Sequence, residues 1–388
     1  MIDNPSSAME ALQQRYASIL RAGAIDEPVR YRFVRELGHG RQGSVQLGLR
    51  QGARGCVTER AIKLYSPDLY RSADEYWEDM GRIARQVSVL QRLQSMHLVT
   101  RHSYEETHGV GYVEMDVIDG IDLGRLLSPL FVRRVRERSR EWESEYFMRT
   151  IFRLDHDEVR VQPGLVVYIL RGVLRGLELL HAAGFLHYDV KPANIMIDRL
   201  GTVRVVDFGR AVRSGERLSF LLGAPRYMSP ETHRREVCDA RSDLFSLGLV
   251  GVELLSGRNT WSRGAESEKR LSDIKLNLRD RLHGILPADV VENEILFGIL
   301  RRLVDPDPAN RFAHAVDVDA GEDGLTQVTK QLVRGGLDSE YERDLALCLT
   351  KLIDVRTGRV EIPAEPARET TGVYPETAGS SASAMASS

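Results

Sequence analysis

His187-Tyr188-Asp189-Val190-Lys191-Pro192-Ala193-Asn194, followed by Asp207-Phe208-Gly209, is the stretch that decides how this chain is read. One loop sets an Asp, a Lys and an Asn at fixed offsets, and a second Asp arrives thirteen residues after Asn194. Moving a γ-phosphoryl group calls for these types: a carboxylate to orient the attacking hydroxyl, and a second carboxylate plus an amide to hold Mg²⁺. A single Asp in a loop is usually a turn former or a cap. The combined spacing is far more specific than that. Between the two clusters, Ile195-Met196-Ile197-Asp198 and Val203-Arg204-Val205-Val206 predict a hairpin around Leu200-Gly201, which presents Asn194 and Asp207 to one cleft.

Upstream, the strand-like Tyr31 to Leu37 runs into Gly38-His39-Gly40-Arg41-Gln42-Gly43-Ser44-Val45, the pattern G-x-G-x-x-G-x-V. A glycine triplet alone is weak, because hairpin turns and dinucleotide folds use it too. Here strand residues flank it, Val45 is placed to cover an adenine ring, and Ala61-Ile62-Lys63 follows in a second apolar stretch. Glycines let the backbone approach phosphates closely, and a Lys within a strand supplies a point charge for the α- and β-phosphates.

Over residues 31–315 these motifs resemble the protein kinase family of the eukaryotic-like Ser/Thr type. The resemblance implies an α+β, bilobal fold: a small β-rich N-lobe (31–118), a larger helical C-lobe (119–315), and ATP with Mg²⁺ in the cleft between them. It implies a nucleotide pocket of Leu37, Gly38, Gly40, Gly43, Val45, Ala61, Lys63, Met115 and Val117, where Met115 lies behind the adenine and the backbone of Asp116 and Val117 reads its polar edge. For Met115 an ordinary core role is the alternative. Asp189 becomes the base or orienting group, Lys191 neutralises the transferring phosphoryl group, and Lys63 holds the phosphates. Asn194 and Asp207 bind the metal. Gly223 to Glu231 resembles the end of an activation segment, with Glu231 expected to pair with Arg311, and Asp243 resembles the Asp that anchors the catalytic-loop backbone. A plain N-cap is the other reading of Asp243.

Three positions depart from the family's pattern. Gln86 stands where a Glu should hold Lys63, with Glu78, two turns earlier on the same helix face, as the substitute. Tyr188 replaces the Arg that precedes the catalytic Asp and binds an activation-segment phosphate, so activity is expected not to need phosphorylation at Ser214 or Ser219. Ala224 replaces a Thr that braces Asp189 and Lys191.

The rest of the chain sets bounds. Its 388 residues, 42% hydrophobic and 28% charged, suit a two-lobed globular protein with appendages, and a net charge of −3 gives no reason to expect nucleic acid as a partner. Cys56, Cys238 and Cys348 are odd in number and lack metal-ligand spacing, which points to a reducing, cytoplasmic setting. The start shows no signal-peptide pattern. The most apolar run, Leu244 to Leu255, is too short to span a bilayer and carries Glu253, so it reads as a buried helix.

Met9 to Ala22 reads as an amphipathic helix within an N-terminal extension, 1–30. Residues 124–162 form a longer insert than a minimal kinase needs, and the basic run Arg133 to Arg140 within it reads as a solvated helix. Helices are expected at Leu325 to Arg334 and Ser339 to Ile353 in a C-terminal extension, 316–360. Residues 361–388 have a disordered composition and include Thr370, Thr371 and Thr377. The function expected is transfer of phosphoryl groups to Ser/Thr hydroxyls of proteins. A pseudokinase scaffold and a small-molecule kinase are the alternatives. Oligomeric state is not legible.

Overall fold

The computed structural model describes residues 5–25, 30–155, 158–216, 224–257, 260–264, 267–334 and 340–360. Ser219, Gly223 and the whole of 361–388 lie outside the described residues.

Helix α1 (Pro5–Ala22) precedes an antiparallel sheet made of β1 (Ala24–Ile25), β2 (Tyr31–Gly40), β3 (Gly43–Gln51), β4 (Val57–Tyr65), β5 (Arg101–Thr107) and β6 (Val110–Met115), in the order β1-β2-β3-β4-β6-β5. Met9, Leu12, Tyr16 and Ile19 are buried, so α1 docks its apolar stripe on this lobe. Between β4 and β5 runs α2 (Ala73–Leu90), started by the Ser72 side chain capping the Glu75 amide. Alternation along β4 puts Ala61, Lys63 and Tyr65 on one face.

Beyond Met115 the chain crosses to the helical lobe through β7 (Gly120–Asp122) and α3 (Leu123–Leu126). The insert folds as α4 (Pro129–Arg138), α5 (Glu141–Thr150) and the hairpin of β8 (Phe152–Asp155) and β9 (Glu158–Val161). Helix α6 (Pro163–Ala182) then delivers β10 (Phe185–Leu186), the catalytic loop, β11 (Ile195–Asp198), β12 (Val203–Val205) and β13 (Val212–Arg213). β7, β11 and β12 form one small sheet, so the exit from the hinge is stitched to the hairpin expected around Leu200-Gly201.

After α7 (Pro230–His233) comes α8 (Ala240–Ser256), buried on all sides as its composition requires, and capped by Asp239 rather than Asp243. Around it lie α9 (Glu268–Leu276), α10 (Leu278–Ile285), α11 (Ala288–Glu292), α12 (Glu294–Leu303) and α13 (Ala315–Ala320). The last helices are α14 (Leu325–Arg334) and α15 (Tyr341–Thr350). No helix among the described residues is long and apolar enough to cross a membrane.

The insert and the C-terminal extension meet. Tyr146 donates to Asp344 (2.8 Å), and Lys351 donates to Glu143 (2.6 Å). Gly201 lets α15 approach the β11–β12 turn: its φ is +88°, and a Cβ there would lie 1.9 Å from the Glu342 carbonyl oxygen. The chain then returns to the hinge, where the Val360 amide donates to Asp119 (2.9 Å) and Arg359 pairs with Glu59 of β4.

Candidate active site

The β2–β3 hairpin turns tightly, pairing Gly38 with Val45 and Gly40 with Gly43. Gly43 has φ +134°, and a Cβ there would strike the Leu64 carbonyl oxygen at 1.9 Å, so only glycine closes this turn. At Gly38 and Gly40 a Cβ would meet nothing within 4 Å. The hairpin is open where a phosphate would approach. Val45 pairs with Lys63 and Ala61 with Met115 across the sheet, which collects the proposed adenine and phosphate residues around one face. Leu37, Val45 and Val117 are half-buried against the core, while Ala61 and Met115 are buried. Among the described residues no hydrogen bond uses the Val117 amide or carbonyl, whereas the Asp116 amide donates to Thr100 (3.0 Å).

Lys63 is 3% exposed, and its ammonium meets the Asp207 carboxylate and the Gln42 side-chain oxygen (3.0 Å). Burial pushes the Asp207 carboxyl up, but the charge and hydrogen bond of Lys63 outweigh it and hold it below the usual carboxylate range, with Lys191 and His187 adding to the effect. Asp207 sits in left-handed backbone, φ +58°, at the start of the turn through Phe208 and Arg210.

Neither candidate for the Lys63 partner on α2 fills that role. Gln86 is buried and donates its amide to the Ala211 carbonyl, while its Oε1 has no hydrogen-bond partner among the described residues. Glu78 is exposed. Helix α2 therefore holds the segment after Phe208 through its backbone, helped by Arg82, which reaches the same carbonyl at 3.3 Å. The physical reason is polarity: an uncharged amide can donate to a carbonyl, which a carboxylate cannot. Beneath this turn Arg101 is buried, its guanidinium 3.9 Å from the centre of the Phe208 ring.

The catalytic loop is bonded at each charged group. Asp189 Oδ2 accepts from Lys191 (2.6 Å) and Asn194 (2.9 Å), and its carbonyl accepts from the same Asn194 amide (2.8 Å). That commits Asn194 Nδ2 and leaves its Oδ1 for a cation. Asp189 Oδ1 accepts from the Ala224 backbone amide (2.9 Å), so main chain supplies a brace where the Thr hydroxyl is missing. His187 accepts from the Asp189 amide at Nδ1 (3.2 Å), which assigns the proton on Nε2 as the donor to the Val206 carbonyl (3.0 Å).

Asp243 takes the His187 and Tyr188 amides (2.7 and 2.8 Å) and His181 (2.8 Å), as expected of an anchor for this backbone. Its burial pushes the carboxyl up, yet His181 holds it low and ionised. Tyr188 has φ +67°, an uncommon conformation for a bulky residue, and its phenol packs against Cys238 and Thr232, where burial pushes its pKa up. The pair expected between Glu231 and Arg311 forms as a buried fork (2.6 and 2.9 Å), and Ser242 also donates to Glu231 (2.8 Å).

Gln42, Arg101 and His181 were not legible as site residues. Each is brought in by topology, and only the position of Gln42 within the glycine pattern offers a signal.

The model of the protein kinase domain family matches residues 31–318. A probable serine/threonine-protein kinase of Streptomyces coelicolor is 32% identical over 165 residues, 41% of this chain and 20% of that protein. The serine/threonine-protein kinase PknA of Corynebacterium glutamicum is 25% identical over 294 residues, 73% of this chain and 53% of its own length. PknL of Mycobacterium tuberculosis is 44% identical over 104 residues, 26% of each chain. The chain thus spans between a fifth and about half the length of these relatives. The crystal structure of the M. tuberculosis PknI kinase domain superimposes with a TM-score of 0.50 at 22% identity, covering 78% of this chain and 96% of that one, a likeness of fold. With its bilobal fold and a family match over most of its length, the chain belongs to the protein kinase domain family.

Proposed function

We propose that this chain is a protein serine/threonine kinase that uses ATP and Mg²⁺. The observation that carries the reading is the convergence of Asp189, braced by Lys191 and Asn194, with Asp207, paired to Lys63 below the glycine hairpin. When bound, ATP with Mg²⁺ supplies the phosphoryl group and the cation that offsets its charge. The residues fit such a guest. Asn194 Oδ1 and the ionised Asp207 are hard oxygen donors, few in number, as suits a cation that keeps water and phosphate oxygens in its shell. Lys63 is the buried point charge for the phosphates, and the open faces of Gly38 and Gly40 leave the backbone accessible. The free backbone groups of Val117 suit the polar edge of an adenine.

Asp189 Oδ1 takes a single donor, so it is the oxygen with room to orient an acceptor hydroxyl and receive its proton. Lys191, held on the other oxygen, keeps a positive charge beside the transfer point. The residues from Ala224 to Glu231, locked by Arg311, form the surface on which a protein substrate lies. The lobes divide at 31–118 and 119–315 in this reading. The three free cysteines suit a cytoplasmic setting.

The test is to incubate the protein with Mg²⁺ and γ-labelled ATP, alone and with a basic protein, beside Lys63→Ala. Label in protein Ser or Thr supports the proposal. No label and no nucleotide-dependent stabilisation indicates a scaffold, and turnover only with an added metabolite indicates a small-molecule kinase.

A further inference from the structure

Lys275, in the last turn of α9, is 0% exposed and has no place in the phosphoryl-transfer machinery described above. Its ammonium donates to the Pro225 carbonyl (2.6 Å), the Met228 carbonyl (2.7 Å) and Nε2 of His233 (2.8 Å). An ammonium has three N–H bonds, and all three are used. Because His233 Nε2 accepts, its proton lies on Nδ1, which donates to Glu268 (2.9 Å). Glu268 opens the helix that Lys275 closes, so Glu268, His233 and Lys275 make a closed loop between α9 and α7.

The carbonyls that Lys275 holds belong to the segment whose neighbouring amide, Ala224 N–H, braces Asp189 Oδ1 at 2.9 Å. Ala224 lacks the hydroxyl with which the family's Thr ties this segment to the catalytic loop. A buried charge is retained only where it is paired and hydrogen-bonded, and here its partners are the main chain of the substrate-side segment.

We propose that Lys275, set by His233 and Glu268, is the positioning residue that fixes the Pro225–Met228 backbone for the acceptor protein. The inference rests on the reading of Ala224 to Glu231 as the surface where a protein substrate lies. Lys275 touches neither nucleotide nor reacting atoms. Its effect passes through the segment to acceptor binding and, through Ala224, to Asp189.

Burial pushes the Lys275 ammonium down to about 7, opposed by Glu268, with Arg226 lowering it further and Glu231 raising it. The other titratable neighbour, His233, is pushed down by its own burial and by Lys275. A neutral amine offers two donors to these three acceptors, so as pH rises through that value one of the three bonds is lost, and with it either a hold on the segment or the tie to His233 that sets the amine.

The experiment measures KM for histone, KM for ATP and kcat of the full chain at pH 6.5 and 8.5, for wild type, Lys275→Met, Lys275→Arg and Glu268→Gln, with the melting temperature of each. Lys275→Met should raise the histone KM about tenfold while the ATP KM stays within about twofold. The wild type's histone KM should rise between pH 6.5 and 8.5, and that rise should vanish in Lys275→Met. Lys275→Arg should recover part of the loss. If Lys275→Met does not fold, Glu268→Gln, altered at a side chain 42% exposed, carries the test. It should raise the histone KM about threefold and move its pH dependence to lower pH. Equal histone KM values in wild type and variants overturn the inference, as does a parallel change in both KM values that follows the melting temperature. A wild type that labels no protein overturns the kinase reading instead, so the two failures are distinguishable.

Discussion

The two sides of the cleft are built differently. On the helical side, Asp189, Asp243 and Glu231 each take three or more hydrogen bonds from protein groups, several from backbone amides. On the sheet side, Lys63 is buried and meets a carboxylate contributed from the other lobe and a side-chain amide from the glycine hairpin. The helical side is organised before any ligand arrives, which is what positioning catalysis asks for. In the proposed reading, nucleotide phosphates take the place of these partners of Lys63. Substitutions on the first should therefore cost stability as well as rate, and substitutions on the second should cost rate with little loss of stability.

Arg311→Leu tests the first half most severely. It leaves Glu231 buried without its cation, and the unfolding free energy should fall by about 3–5 kcal/mol, read from denaturant midpoints. A loss below about 1 kcal/mol would break the comparison. The same pair sets an acid limit. Burial raises the Glu231 carboxyl, but Arg311 more than compensates, so its folded pKa lies below the ordinary value of 4.5. The pair's contribution is therefore complete above that value and is lost as pH falls through the lowered one. Melting temperature followed downward from pH 5 should fall more steeply in the wild type than in Glu231→Gln.

Lys63→Met tests the second half. Phosphoryl transfer should drop about 10²-fold or more, equivalent to about 2.7 kcal/mol. Stability should move by less than about 1 kcal/mol, because the Asp207 side chain is 29% exposed and water can replace the lost partner. A large stability loss would mean that the two sides are equally preassembled. Gln86→Leu is the smallest of these effects. It removes one amide-to-carbonyl bond at Ala211 but also a buried oxygen without a donor, so the net loss should be about 1 kcal/mol or less, measured by thermal unfolding.

What the sequence made legible follows from which interactions are local. Asp189, Lys191 and Asn194 sit within six residues, so their mutual bonding is set by one loop, and HxDxKPxN displays it. The Glu231–Arg311 pair spans eighty residues and was legible only through the family resemblance. Helix α14 falls where its periodicity predicts, Leu325–Arg334, because its apolar stripe is strong. The Lys63 partner was not legible, because spacing on α2 tells which face Gln86 occupies and not whether that face meets β4 or the turn after Phe208. Likewise, the insert and the C-terminal helices read as two separate additions, and only tertiary structure joins Tyr146 to Asp344 and returns Val360 to the hinge.

The most direct measurement of the central claim is phosphoryl transfer from γ-labelled ATP to Ser and Thr of a basic protein, by wild type and Asp189→Asn, with MgATP affinity determined on the same samples. Wild-type reactions should show label, Asp189→Asn should lose about 10²–10³-fold, and the MgATP dissociation constants should lie within about twofold of each other. Equal labelling by both proteins would contradict it.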